Sequence, residues 1–187
     1  MDARDPTTGR ISNRLALVQH QLAPSTNQSA STPNPQSSNM SRDPITCHCL
    51  NTLSGTPAAN LPVTLTLLSA TPSSSPGSSS SPEVTFHATT NADGRVAQWT
   101  PSKSTASIAT SVAEVLNALP AADSKTNWAV RFEVGPWYEA QGVESFWPEV
   151  EVKFTVKGRG REGEEGWRHY HVPVLLGPWN YSTYRGS

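Results

Sequence analysis

Histidines are the residues of this chain best suited to chemistry near neutral pH, because an imidazole changes charge within that range. The sequence holds five, at His20, His48, His87, His169 and His171. The last two alternate in "RHYHVP", so on a strand they would share one face. Taken singly, each is more simply a hydrogen-bonded structural residue. Three of them, His48, His169 and His171, lie in segments of strand character that could share a face, which indicates a polar site able to move protons.

The two cysteines flank His48 in "TCHCLN". On a strand, Cys47 and Cys49 point to the face opposite His48. Cysteines at i and i+2 of one strand have the wrong geometry to bridge each other, so we predict two small buried residues. With only two cysteines, a disulfide-stapled scaffold is excluded.

Metal chemistry is the alternative interpretation of the histidines, since His48 with the His-x-His pair would make a three-histidine zinc site. The sequence has no Cys-x-x-Cys, no His-Glu-x-x-His and no acidic loop beside them. It also lacks a Gly-x-Ser-x-Gly elbow, and the glycines of "GRGREGEEG" lack the context of a phosphate loop. We therefore expect neither a metal nor an organic cofactor.

The charge balance and the lack of long apolar runs exclude several classes of binding partner. The 187 residues carry 14 Lys+Arg against 15 Asp+Glu, which gives no electrostatic footprint for nucleic acid or an anionic membrane. No apolar run approaches the roughly 20 residues of a membrane-spanning helix, and no secretory signal follows Met1. The expected compartment is therefore inside the cell.

Short runs of β-type residues separated by turn-forming residues predict an all-β, antiparallel β-sandwich. The predicted strands are Ile45–Thr52, Leu61–Ala70, Glu83–Thr90, Arg95–Trp99, Asn127–Gly135, Phe146–Val156 and Arg168–Leu176. The turn "NADG" predicts a hairpin between the third and fourth strands. The serine-rich segment 71–82 and the charged, glycine-rich segment 157–166 are predicted as solvated hairpin loops. Ser104–Pro120, where we expect an insertion, and Pro136–Gly142 are the two candidate helices.

Residues 1–43 are rich in Ser, Thr, Asn, Gln and Pro and contain no aromatic residue, which predicts a disordered leader. One island, "NRLALVQHQL", fits the type 2 peroxisomal targeting pattern over residues 14–22. On a helix, Leu15, Val18 and Leu22 form one apolar stripe that an import receptor could hold. The alternative is a chance amphipathic turn.

Several ordered blocks resemble the 5-hydroxyisourate hydrolases, the enzymatic branch of the transthyretin-like proteins. They are "ITCHCLNTLSGTPAANLPVTL", "TTNADGRV", "FWPEVEV" and "HYHVPVLLGPWNYSTYRGS". The resemblance covers about residues 44–187, with insertions at 71–82, 101–126 and 157–166. Its most specific block is the final Tyr-Arg-Gly-Ser, because this distinguishes the hydrolases from the hormone-carrying transthyretins.

The resemblance implies a transthyretin-like (prealbumin-type) sandwich with one short helix, assembled as a homotetramer with active sites in the channel between two dimers. The implied reaction hydrolyses 5-hydroxyisourate to 2-oxo-4-hydroxy-4-carboxy-5-ureidoimidazoline in urate degradation. The implied compartment is the peroxisome, with the cytoplasm as the alternative. A non-catalytic transthyretin-like carrier of a small ligand is the alternative function.

The resemblance also implies the site residues. Matching positions are His48, Arg95, His169, His171, Tyr184, Arg185, Gly186 and Ser187. We expect His48 to act as general base or water orienter, with His171 as its partner in proton transfer. Arg95 would bind substrate and offset developing oxyanion charge.

The remaining implied roles lie beside these. Arg185 would join Arg95 in binding the substrate and offsetting charge. Tyr184 would help complete the pocket, Ser187 would contribute its hydroxyl or carboxylate, and His169 would also contact substrate. The chain departs from the family pattern at Cys47, commonly threonine, and at Asn51, commonly aspartate. If that aspartate orients a ring or fixes a loop, Asn51 puts the supporting contacts in doubt.

Overall fold

The structure, a computed structural model, describes residues 42–71, 83–159 and 163–186. In these residues the chain forms a β-sandwich with two short α-helices. The strands are β1 Ile45–Asn51, β2 Thr56–Pro57, β3 Pro62–Thr71, β4 Thr85–Thr89, β5 Arg95–Val96, β6 Thr100–Pro101, β7 Lys125–Phe132, β8 Val150–Lys157, β9 Tyr170–Leu176 and β10 Tyr181–Thr183. The predicted leader with its targeting segment, and Ser187, lie outside the described residues.

The strands form two five-stranded sheets within the described part of the chain. Sheet 1 has the order β10–β9–β1–β2, with β5 also paired to β1, and sheet 2 has the order β6–β4–β3–β7–β8. The predicted all-β sandwich is confirmed, but β1 and β9 run parallel. Hairpins force only consecutive strands to be antiparallel, and these two strands are separated by all of sheet 2.

The two sheets bury their apolar faces against each other. Along β9, Val172 and Val174 are buried in the core, while His171 and Leu175 point to the opposite side. This alternation follows from the two-residue period of a strand. We call the side of sheet 1 that faces away from the core its outer face.

Two predicted hairpins are wrong. The "NADG" turn joins β4 in sheet 2 to β5 in sheet 1, because β5 pairs with β1 instead of β4. Segment 157–166 likewise connects β8 in sheet 2 to β9 in sheet 1. Within its described part, residues 163–165 are exposed as predicted, while Gly158 is buried against Gly166, and Gly166 lies against Ala122. The predicted hairpin between β3 and β4 is confirmed by their antiparallel pairing.

The helices are shorter than predicted. Helix α1 spans Val112–Asn117, after a separate 3₁₀ turn at Thr105–Ser107, and helix α2 spans Val134–Glu139. Helix α1 begins at Ser111, whose hydroxyl accepts a hydrogen bond from the Glu114 N–H. The inserted segment is part of the fold, because Val112 and Leu116 are buried in the main core.

Candidate active site

Three imidazoles lie side by side on the outer face of sheet 1. His48 is on β1 and His171 on β9, with ring centroids 6.5 Å apart and ring planes 26° apart. His169 stacks on His171 at 6.2 Å and 18°. The prediction that these three histidines share a face is confirmed, and it follows from strand periodicity on two neighbouring strands.

Arg95 is placed beside the imidazoles by the pairing of β5 with β1, in which it lies directly opposite His48. A tight turn precedes it: the side-chain oxygen of Asn91 accepts hydrogen bonds from the N–H groups of Asp93 and Arg95. Gly94 has φ +72°, and a Cβ there would collide with the Cys49 carbonyl oxygen. Only glycine allows the turn to approach β1 this closely.

Thr46 joins two of the histidines. It is opposite His171 in the parallel pairing of β1 and β9 and is only 6% exposed. Its Oγ1 lies 2.8 Å from His171 Nδ1 and 3.0 Å from His169 Nε2. Thr46 is not among the site residues predicted from the sequence, although it stands two residues before His48 and therefore shares its face.

Both principal imidazoles favour the neutral form. Partial burial lowers the pKa of His48, and the Arg95 guanidinium lowers it further, against opposing effects of the Asp93 backbone and carboxylate. Burial also lowers the pKa of His171, with smaller contributions from Arg95, His169, His48 and Arg42. A neutral imidazole has a free lone pair, so these side chains are prepared to accept protons at neutral pH.

This electrostatic arrangement predicts a pH profile. Because a neutral imidazole must accept the proton, we expect kcat/KM to be level near pH 7 and to fall only below the ordinary histidine pKa of about 6.5. Arg95→Gln removes a charge that lowers the pKa of both histidines, so the acidic limb should move to higher pH. The measurement is kcat/KM against pH for both proteins. An unmoved acidic limb in Arg95→Gln would contradict the coupling.

A cavity of about 190 Å³ opens beside this cluster, lined by Arg42, Thr46, Cys47, Arg95, Val96, Ala97, His169 and His171. Cys47 is in this lining, but its thiol is buried on the core side, and burial raises the pKa of the thiol to about 12. It is therefore unsuited to act as a nucleophile, and the prediction of two buried, unbridged cysteines is confirmed. Arg42, which falls within the predicted leader, brings a second guanidinium to this cavity.

The C-terminal segment reaches the site through its backbone. Gly186 N–H donates a hydrogen bond to the His171 carbonyl at 3.0 Å. Arg185 lies over the Tyr170 ring at 5.6 Å, and with Tyr184 it lines a neighbouring cavity of about 460 Å³ that also contacts His171. In the single chain the larger cavity is therefore not the one that holds Arg95. Substrate binding by Tyr184 and Arg185 stays a prediction.

Asn51, where the family pattern commonly has aspartate, has a structural role and does not belong to the histidine cluster. It is buried on the core side of β1, and its side-chain oxygen accepts hydrogen bonds from the Leu53 N–H and the Tyr138 hydroxyl, both at 3.0 Å. An amide oxygen accepts both bonds as a carboxylate would. The side chain therefore fixes the turn after β1 and does not face the histidines.

Within residues 42–71, 83–159 and 163–186, no three His, Cys, Asp or Glu side chains are grouped so that they could hold a metal ion. In the same part of the chain, no helix is long and apolar enough to cross a bilayer.

Fold and site together define the class of this protein: a two-sheet β-sandwich with a cluster of imidazoles beside a guanidinium on the outer face of one sheet. The chain belongs to the HIUase/transthyretin family, whose model matches residues 45–186.

The chain is also similar to individual proteins. The chain is 36% identical over 146 residues to a probable 5-hydroxyisourate hydrolase of Schizosaccharomyces pombe, covering 76% of this chain and 90% of that protein. It is 43% identical over 56 residues to 5-hydroxyisourate hydrolase of Mus musculus, covering 30% and 42% of the two chains. The solved structure of Klebsiella pneumoniae 5-hydroxyisourate hydrolase aligns with TM-score 0.47 and 27% identity, over 76% of this chain and 97% of that chain.

Proposed function

We propose that this chain is a hydrolase of 5-hydroxyisourate, a cyclic amide. The observation that carries the proposal is the meeting of His48, His171 and Arg95 on one face of the sandwich, beside a cavity of about 190 Å³. The S. pombe relative of that name aligns along nearly all of its length, which supports the same substrate.

The proposed chemistry is attack of water on the lactam carbonyl of the six-membered ring. A neutral imidazole, with His48 the first candidate, takes a proton as the water oxygen bonds to the carbonyl carbon. The Arg95 guanidinium offsets the negative charge that develops on the carbonyl oxygen. The carbon–nitrogen bond then breaks as His171, the candidate acid, donates a proton to the leaving nitrogen. His48 returns the proton it took to solvent, and His171 regains one, so the site is restored.

The decisive test is a spectrophotometric assay with freshly generated 5-hydroxyisourate, in which the purified chain should accelerate substrate loss above the spontaneous rate. Stoichiometric binding without turnover would instead favour the rival function, a non-catalytic carrier of a small ligand. Activity that survives strong chelation would exclude a histidine-ligated zinc mechanism. Arg42 and Arg95 in the cavity lining favour the enzyme, because an apolar ligand would leave both guanidinium groups unpaired.

We further propose that the chain acts as a homotetramer. Large apolar side chains are exposed in the single chain, among them Leu175 at 40%, Trp179 at 64% and Phe146 at 69%. Leu175 lies on the same outer face of sheet 1 as His171, so a second copy covering Leu175 would also close the site from solvent. Closure of this kind strengthens the electrostatic interactions inside.

A charge at this surface should disrupt the assembly. We expect Leu175→Glu to shift the protein from tetramer to smaller species, because a carboxylate would be buried without a partner. The measurement is sedimentation velocity at fixed concentration. Ile108→Glu is the matched control, since Ile108 is a similarly exposed aliphatic residue at 49% on the inserted segment. An unchanged tetramer in Leu175→Glu would contradict this surface as the interface.

Peroxisomal import through residues 14–22 is also proposed, on the sequence pattern alone. A fluorescent protein fused to residues 1–40 should enter peroxisomes. Replacing Arg14 and Leu15 in that fusion should leave it in the cytosol. A wild-type fusion that stays cytosolic would overturn the proposal.

A further inference from the structure

The hydroxyl of Thr46 lies within hydrogen-bond distance of two of the site imidazoles. Its oxygen is 2.8 Å from His171 Nδ1 and 3.0 Å from His169 Nε2. Because the side chain is almost fully buried, few other partners can compete for the hydroxyl. These contacts form a continuous path from His171 to His169.

A threonine hydroxyl has one proton and two acceptor lone pairs, so a relay between the rings requires it to donate to one ring nitrogen and to accept from the other. If it donates to His171 Nδ1, then His169 must present a protonated Nε2, and both neutral rings carry their proton on Nε2. If it accepts from His171 Nδ1, it donates to His169 Nε2, and both neutral rings carry their proton on Nδ1. In either relay arrangement the two histidines hold the same tautomer, whereas a hydroxyl that accepts from both rings would give them opposite tautomers.

We propose that Thr46 is a positioning residue and proton relay between His171 and His169, an inference that deepens the hydrolase function proposed above. A proton collected on His171 Nε2 makes that ring an imidazolium. Its Nδ1 proton then passes to the Thr46 oxygen, while the Thr46 hydroxyl proton passes to His169 Nε2. His169 releases a proton from Nδ1, which leaves both rings neutral with their proton on Nε2. When His171 then donates its Nε2 proton to the leaving nitrogen, the path runs in reverse: a proton enters at His169 Nδ1, the His169 Nε2 proton passes to the Thr46 oxygen, the Thr46 hydroxyl proton passes to His171 Nδ1, and both rings return to the Nδ1 tautomer.

The surroundings of His169 suit the end of such a path. The ring is partly exposed, so a proton released there can reach solvent. The Trp167 ring centroid lies 6.4 Å from that of His169 with planes 19° apart, and the His171 centroid lies 6.2 Å away at 18°, so neighbouring rings restrict its rotation. A fixed ring keeps Nε2 directed at Thr46 through the catalytic cycle.

The test begins with the tautomers, which can be measured without any substrate. Nitrogen-15 NMR of histidine-labelled protein at about pH 8, above the ordinary histidine pKa, should show equal tautomer fractions for His169 and His171. In Thr46→Val, which keeps the shape and removes the hydroxyl, the two fractions should become unequal. Opposite tautomers in the unaltered protein, or equal fractions that persist in Thr46→Val, would overturn the relay.

Kinetics supply the second measurement. Thr46→Val should lower kcat about tenfold or more, since general acid–base catalysis contributes about 10²–10⁴-fold in total. KM should change little, and Thr46→Ser, which restores the hydroxyl, should recover most of the rate. Thr64→Val is the matched control, because Thr64 Oγ1 approaches His87 Nδ1 at 3.4 Å in sheet 2, away from the site. Thr46→Val with unchanged kcat, or Thr46→Ser as slow as Thr46→Val, would overturn the relay.

The two proposals fail in different ways. If the unaltered protein does not hydrolyse 5-hydroxyisourate, the proposed substrate is wrong, while the tautomer measurement still decides whether Thr46 couples the rings. If the protein turns over but the tautomers are independent, the relay alone is wrong.

Discussion

Replacing His48 or His171 with asparagine should lower kcat/KM by about 10²–10⁴-fold, the usual contribution of a general acid or base. Asparagine keeps a polar group near the imidazole position but cannot accept and release a proton near neutral pH. For His171 it can also keep a hydrogen bond to Thr46. The measurement is steady-state kinetics with 5-hydroxyisourate, together with thermal unfolding of each variant.

Unfolding should change little in these variants, because both side chains lie on the outer face of sheet 1 and outside the core cluster. His87→Asn is the matched control: it makes the same substitution on an exposed strand position of sheet 2 and should retain the full rate. A variant at His48 or His171 that stays within about threefold of the unaltered protein would remove that histidine from the mechanism, given the size of effect expected.

The same pair of variants can identify the general base. The pKa of each ring is lowered, so each could produce the acidic limb of the pH profile. If His48 is the base, His48→Asn should lose the limb in its residual activity, and His171→Asn should keep it. The reverse result would assign the base to His171. These profiles belong to a coupled pair, so the comparison between variants is more informative than either curve alone.

The sequence predicted correctly which strand face the site histidines occupy, but it did not predict which residues of the neighbouring strand lie beside them. A two-residue period within each strand was enough to place His169 and His171 together and to send Cys47 to the core. It could not give the register between β1 and β9, which are far apart in the chain. That register brings Thr46 next to His171, and no local pattern encodes it.

The turn-forming residues also predicted local structure but not strand pairing. The residues of "NADG" indicate a tight turn, and a tight turn is present, but they do not say which sheet the next strand joins. Here the choice is decided by packing: Gly94 allows the turn to lie against Cys49, and β5 then pairs with β1. Arg95 reaches His48 through this tertiary contact. The prediction that Arg95 lies near His48 came from the family resemblance and not from the turn pattern.

The contact between the C-terminal segment and His171 depends on the absence of a side chain at Gly186. A Cβ built there would lie 2.6 Å from His171 Cδ2 and 3.0 Å from Pro173 Cγ. Pro173 is held in the strand, so the easiest responses are displacement of the His171 ring or loss of the hydrogen bond from Gly186 N–H to the His171 carbonyl. Either response disturbs the ring that must transfer a proton.

Gly186→Ala should therefore lower kcat/KM by about 100-fold, the effect of an ångström-scale misplacement of a catalytic group. Thermal unfolding should stay nearly unchanged, because Gly186 is outside the core cluster. The measurements are steady-state kinetics and a melting curve. A rate within about threefold of the unaltered protein would show that the C-terminal segment does not fix His171.

Gly142→Ala is the matched control for Gly186→Ala. It adds the same methyl group, but we expect it to change stability and not the rate. Nothing lies within 4 Å of a Cβ at Gly142, but its φ of +73° is in the left-handed region. Alanine there should cost about 1 kcal/mol of stability and leave the rate unchanged. We expect Gly186→Ala to lose rate without losing stability, and Gly142→Ala to lose stability without losing rate. This pair of results would distinguish a contact that positions His171 from ordinary backbone strain. If both variants lost only stability, the C-terminal contact would be structural, and His171 would have to be oriented by Thr46 alone.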